Sequence, residues 1–173
     1  MGIPSVVLFC ADISAPSSAI SNYYNPDVIH LGDVWGLEED ALPAVDLVLL
    51  GPPCQPFSAL VTNRTEVDPR AGLFARGCQL ATATRAPLII VEEVRTILRG
   101  KCCQYWKAGV RLLCRAGYQV TWDVYTPKLW GLPQSRRRVY LVATLGASLG
   151  TPPSCTGIPC MRLEDLLAGR LPK

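Results

Sequence analysis

Apolar residues along the chain fall in short runs separated by turn-forming residues, with more mixed stretches between them. Runs at Val6 to Cys10, Val28 to Leu31, Val45 to Leu50, Pro87 to Glu92, Gln119 to Tyr125 and Arg137 to Thr144 predict six strands. The intervening segments predict helices at Ala15 to Tyr23, Leu37 to Leu42, Leu73 to Thr84 and Cys102 to Ala116. Strands alternating with helices imply a three-layer α/β domain with a mostly parallel sheet. The last strand follows its predecessor through Gly131-Leu132-Pro133 without a helix, so that pair is expected to be antiparallel. A Gly-, Pro-, Ser- and Thr-rich stretch from Ala147 to Cys160 reads as a linker, and Arg162 to Ala168 as a short terminal helix. The expected division is a core over 1–146 followed by linker and helix over 147–173.

Composition narrows the class. At 173 residues and 49% hydrophobic, with mean hydropathy +0.22, the chain is long and apolar enough to bury the core of one domain. No apolar run approaches the roughly 18 residues of a membrane span, and the first residues lack a basic signal-peptide region. A cytoplasmic protein without membrane partners is expected, nuclear if the source is eukaryotic. The 8 cysteines (10, 54, 78, 102, 103, 114, 155 and 160) read as reduced thiols. No Cys-x-x-Cys pair occurs and His30 is the single histidine, so no metal site is expected, and any general acid or base must be a carboxylate. Net charge is +3. Its distribution is more telling, because Arg136, Arg137 and Arg138 are consecutive and Arg111 and Arg115 share a predicted helix.

The segment Gly51-Pro52-Pro53-Cys54-Gln55-Pro56-Phe57-Ser58 follows a predicted buried strand. Its three prolines fix φ and remove three backbone donors, so Cys54 stands on a stiff turn. Taken alone, this is a Pro-rich turn with a small apolar thiol. Two other strand ends change that reading. Glu92 and Glu93 close the fourth predicted strand and must point to opposite faces, so one can enter a crevice while the other meets solvent or a loop. Period two along the last strand would put Arg136 and Arg138 on one face. In open α/β sheets, ligands bind beyond the carboxyl ends of strands. A thiol, a carboxyl group and guanidinium groups gathered there suit addition of a thiolate to an electron-poor heterocycle. The arginines stabilise the thiolate and grip a ring carbonyl or a phosphate, while the carboxyl group handles a ring-nitrogen proton.

Those segments, in this order, resemble the catalytic core of the DNA (cytosine-5) methyltransferases. Gly51 to Ser58 resembles the family's Pro-Cys nucleophile motif, Val91-Glu92-Glu93-Val94 its Glu-Asn-Val motif, and Gln134, Arg136 and Arg138 its Gln-x-Arg-x-Arg. Asp68 to Phe74 resembles the segment whose leucine, here Leu73, packs near the cofactor. Ala11-Asp12-Ile13-Ser14 resembles the strand end that holds the cofactor ribose, and Gly32-Asp33-Val34 the next motif, whose Asp receives the adenine amino group. The resemblance implies a Rossmann-like methyltransferase sheet with one antiparallel strand, and S-adenosylmethionine as cofactor. It implies catalytic roles for Cys54, Glu92, Arg136 and Arg138. Cofactor contacts fall to Asp12, Ile13, Asp33, Pro53 and Leu73, and substrate contacts to Gln55, Ser58, Arg70 and Gln134.

Three departures shape the functional expectation. Nothing ahead of Val6 supplies the family's opening strand and Gly-rich turn, the chain ends where a target recognition domain would begin, and Glu93 stands in place of the family's Asn. Three readings stay open. The first is a cytosine-5 methyltransferase acting on DNA, in the manner of restriction-modification enzymes, with a complementary chain or a second copy as partner. The second is a non-catalytic relative that binds DNA or a protein, and the third an RNA methyltransferase of similar fold.

Overall fold

The computed structural model describes residues 4–57 and 68–146. Among these residues are six strands: β1 (Phe9–Cys10), β2 (Ile29–His30), β3 (Leu47–Leu50), β4 (Leu88–Val94), β5 (Tyr118–Tyr125) and β6 (Arg138–Leu145). Three α-helices accompany them: α1 (Ala15–Tyr24), α2 (Leu73–Ala83) and α3 (Cys103–Arg115). Each lies within a few residues of a segment predicted from the apolar pattern. The linker and terminal helix expected after residue 146 lie outside the described residues.

The strands form two sheets. β1 and β2 make a parallel pair, and the larger sheet has the order β3-β4-β6-β5. β3 and β4 are parallel with Leu47 opposite Leu88, while β6 runs antiparallel to both β4 and β5. The antiparallel β5–β6 pair is as expected. One feature is non-local: β6 inserts between β4 and β5, leaving β3, β4 and β5 pointing one way around a single reversed strand.

Side-chain alternation divides the larger sheet into two unequal faces. Val91, Val139, Leu141, Ala143 and Ile89 are buried against α2 and α3. Phe74 of α2 stacks on Trp106 of α3 at 5.2 Å, and Trp106 meets Trp122 of β5 edge-on at 5.8 Å. Close approach of the helices requires a glycine, since a Cβ on Gly109 would lie 2.4 Å from Phe74 Cε1. On the opposite face Leu49 is 68% exposed and Tyr140 39%. α1 starts at a Ser14 cap, whose hydroxyl accepts from the Ser17 amide at 3.3 Å, and buries none of its residues.

The helix expected over Leu37 to Leu42 does not form. A 3-10 turn over Val34–Gly36 stands near it instead. The reason is tertiary: Arg76 of α2 donates from Nε to the Val34 carbonyl at 3.2 Å and from Nη2 to the Leu37 carbonyl. Its Nη1 ion-pairs with Glu39 at 3.1 Å. One guanidinium therefore takes up the Val34 and Leu37 carbonyls and pins the start of the segment to α2, and the rest closes as a turn in which the Leu42 amide donates to the Glu39 carbonyl at 3.4 Å.

Candidate active site

The loop carrying Cys54 leaves β3 at Leu50 and turns through Gln55–Phe57, closed by a hydrogen bond from the Phe57 amide to the Cys54 carbonyl at 3.0 Å. Phe57 is buried and Cys54 half-buried. The loop is anchored across the sheet: Thr96, just past the end of β4, donates its hydroxyl to the Phe57 carbonyl. That bond ties the segment carrying Cys54 to the segment following Glu92.

Cys54 opens into a cleft of about 470 Å³ lined also by Val94, Arg95, Thr96, Ser135, Arg137 and Arg138. Arg138 links this cleft to Glu92, since its Nε lies 2.8 Å from Glu92 Oε1. β-sheet register explains the meeting. Arg138 pairs with Val94 and Tyr140 with Glu92, so Arg138 and Glu92 stand diagonally on one face of neighbouring strands. Glu92 Oε2 makes no hydrogen bond among the described residues.

Glu93 takes the other face, but it meets neither solvent nor loop: it is 1% exposed, among the core side chains. Its Oε2 accepts from the Val94 amide at 2.7 Å, and Oε1 has no hydrogen-bond partner among the described residues. Burial pushes its carboxyl group up from 4.5 to about 7. The Val94 hydrogen bond opposes this, the Glu92 charge adds to it, and the Arg138 charge opposes it. The adjacent acids thus occupy different environments, one ion-paired at the cleft and one desolvated. Cys78 shows a similar effect of burial, which pushes its thiol up to about 12 and leaves it a core side chain rather than a nucleophile.

The remaining candidates are distributed as follows. Arg136 is exposed and precedes β6, which begins at Arg138, so the two do not share a strand face as the sequence pattern suggested. Arg137 lines the cleft instead. Gln55 and Gln134 are exposed, while Pro53 and Leu73 are half-buried. Arg70 is held by Asp68 through Nε–Oδ1 at 3.0 Å and Nη2–Oδ2 at 2.8 Å. Ser58 lies outside the described residues. The sequence reading missed Arg95, Thr96 and Ser135. Their proximity in sequence to Glu93 and Arg136 was the available signal.

Asp12 and Asp33 follow the carboxyl ends of the parallel strands β1 and β2. Both are exposed, and Ile13 beside Asp12 is 81% exposed. Each Asp spends one oxygen on a local turn: Asp12 Oδ1 accepts from the Ser14 amide at 2.8 Å and Asp33 Oδ1 from the Trp35 amide at 3.0 Å. A second oxygen remains on each, a pair of acceptors suited to hydroxyl and amino donors such as those of an adenosine.

The family model for C-5 cytosine-specific DNA methylases matches residues 10–151. Among curated proteins, the Type II methyltransferase M.NlaIV of Neisseria lactamica is 27% identical over 172 residues, covering 95% of this chain and 40% of the relative. M.MspI of Moraxella is 28% identical over 143 residues, covering 82% and 34%. The chain thus spans about two fifths or less of the length of these relatives. Among solved structures, a prophage-encoded DNA modification methyltransferase from E. coli superposes with TM-score 0.66 at 20% identity, covering 80% of this chain and 40% of that one. The S. pombe Dnmt2 methyltransferase superposes with TM-score 0.58 at 18% identity, covering 98% and 48%. These likenesses show a Rossmann-like methyltransferase fold.

Proposed function

Because this chain belongs to the C-5 cytosine-specific DNA methylase family, we propose that its cleft activates a flipped-out cytosine of DNA for methylation at C5. The observation that carries this reading is that Cys54 and Arg138 line one cleft, with Glu92 held beside it by its ion pair to Arg138.

The target atoms of cytosine are inaccessible inside the base stack, so the base must leave the duplex to reach Cys54. Cys54 adds to C6 through its thiolate, and Glu92 handles the proton at N3, withdrawing electron density from the ring as sulfur adds. Arg138 orients Glu92 and adds positive charge near the thiolate. C5 becomes nucleophilic as a result. Once C5 carries its new substituent and loses its proton, Cys54 is expelled and the ring regains aromaticity. Asp12, Asp33, Ile13, Pro53 and Leu73 would hold S-adenosylmethionine, which when bound supplies an electrophilic methyl group.

A second observation supports a partner-dependent form of this activity. Ile13, Ile20, Tyr23, Tyr24 and Ile29 are all exposed, α1 buries nothing, and among the described residues β3 has a hydrogen-bonded neighbour on only one side. Exposed apolar surface on this scale suits coverage by a complementary chain or a second copy.

The test is covalent trapping on DNA containing 5-fluorocytosine, whose C5 cannot release a proton. With S-adenosylmethionine present, the protein should form a complex resistant to denaturation, and Cys54→Ala should abolish it. Failure to trap both alone and with a full-length relative as complementing chain, or equal trapping by Cys54→Ala, would refute the reading.

A further inference from the structure

Arg95 and Arg137 line two adjoining cavities. One is the Cys54 cleft; the other, of about 360 Å³, is completed by Val124, Tyr125 and Thr126 at the end of β5. No carboxylate lines either cavity among the described residues. Arg70, Arg76 and Arg138 are each engaged by an acid, whereas neither Arg95 nor Arg137 has an ion-pair partner among the described residues. Two unneutralised guanidinium groups facing one concavity repel each other unless an anion lies between them. The second cavity also offers the Thr126 hydroxyl, which reaches only a long 3.4 Å contact to the Gln134 carbonyl. Its Tyr125 ring belongs to an aromatic group with Trp130 at 6.5 Å and Tyr140 at 6.0 Å.

Guanidinium groups, a hydroxyl and an aromatic wall are the combination that holds a nucleic-acid backbone beside a sugar or base. Charge along the chain points the same way. No Lys or Arg occurs before Arg64, so the segment up to Cys54 carries acids only, and a polyanion is directed to the later half.

We propose that this second cavity is a phosphodiester subsite, in which Arg95 and Arg137 clamp one backbone phosphate of the strand whose displaced base occupies the Cys54 cleft. The inference rests on the reading of that cleft as a base site. It adds a ligand and two residues which the motif resemblance leaves without a role. Because both guanidinium groups serve one phosphate, removing either releases the same contact.

Binding of the whole chain to a fluorescein-labelled DNA duplex, measured by anisotropy from 50 to 200 mM salt, tests this. Each phosphate contact contributes about 0.9 to the slope of log affinity against log salt. Arg95→Gln, Arg137→Gln and the double variant should each lower the slope by about one, with the double variant losing no more than the singles. Arg95→Lys and Arg137→Lys should retain the wild-type slope, as should Arg85→Gln, at an exposed arginine that lines neither cavity. Unchanged slopes in the Gln variants, a loss of about two in the double variant, or an equal loss in Arg85→Gln would overturn the clamp while leaving 5-fluorocytosine trapping intact. If the wild type binds no duplex even at 50 mM salt, the clamp and the DNA reading fall together.

Discussion

Replacing Glu93 by Gln should remove most of the pH dependence of folding stability between pH 5 and 8. The folded protein holds this carboxyl group at about 7 against an ordinary 4.5, chiefly through burial. At 1.36 kcal/mol per pH unit, the difference amounts to ~3 kcal/mol. The sign follows from proton uptake. Below 4.5 both folded and unfolded chains are protonated and stability is undiminished. From there to about 7 the unfolded chain has released its proton while the folded one keeps it, so stability falls as pH rises, and above about 7 the loss is complete. Solvent screening does not reduce this much, because the side chain is 1% exposed. The Gln carbonyl can keep the Val94 hydrogen bond, but its amide NH2 inherits the unpartnered Oε1 position, a cost of ~1–3 kcal/mol that does not vary with pH. The diagnostic is therefore the slope rather than the offset. Thermal unfolding followed by near-UV circular dichroism at pH 5, 6, 7 and 8 should show the wild type losing roughly 6–12 °C across the series relative to Glu93→Gln, at 2–4 °C per kcal/mol. Parallel curves for the two proteins would refute the assignment of Glu93 as a buried neutral acid.

Further outcomes follow from the packing and the cleft. Gly109→Ala should destabilise the fold by ~1–3 kcal/mol in urea unfolding, despite the better helix propensity of Ala, because its Cβ would meet the Phe74 ring at 2.4 Å. A stability equal to or above wild type would mean the two helices do not approach as described. Glu92→Gln should slow 5-fluorocytosine adduct formation by roughly 10²–10⁴-fold while leaving the thermal midpoint nearly unchanged, and a full adduct rate would remove Glu92 from the chemistry. Thr96→Val should cost ~1 kcal/mol by releasing the Phe57 carbonyl. It should also increase hydrogen exchange at the Phe57 amide, read by mass spectrometry of the peptide containing Cys54. Arg76→Met should leave α2 intact but increase exchange across residues 34–39, since the Val34 and Leu37 carbonyls lose their side-chain donor.

Element identity was largely local and therefore legible. The apolar runs ending at Leu50 and beginning at Leu88 read as strands, although Leu47 and Leu49 of the first stay exposed. The caps at Ser14 and Asp68, and the prolines around Cys54, act through their immediate neighbours. So too was the candidate set of Cys54, Glu92 and Arg138, because the motifs that carry them survive as residue order. Alternation along β4 also required Glu92 and Glu93 to part company.

Tertiary structure decided what depended on contacts between distant segments. Leu37 to Leu42 has a helical pattern, yet Arg76, some forty residues later, binds the Leu37 carbonyl and that of Val34 just before it, and the segment closes as a turn instead. Alternation separated the two glutamates without indicating that Glu93 would enter a core closed by α2 and α3. The arginine run looked like one continuous strand edge, but β6 begins only where pairing with β4 begins, at Arg138, so Arg136 points to solvent and Arg137 joins the cleft. Strand pairing is a long-range event that local propensity does not encode. For this chain, residue order determined which candidate groups the motifs carry, while the insertion of β6 between β4 and β5 determined which of them share a cleft.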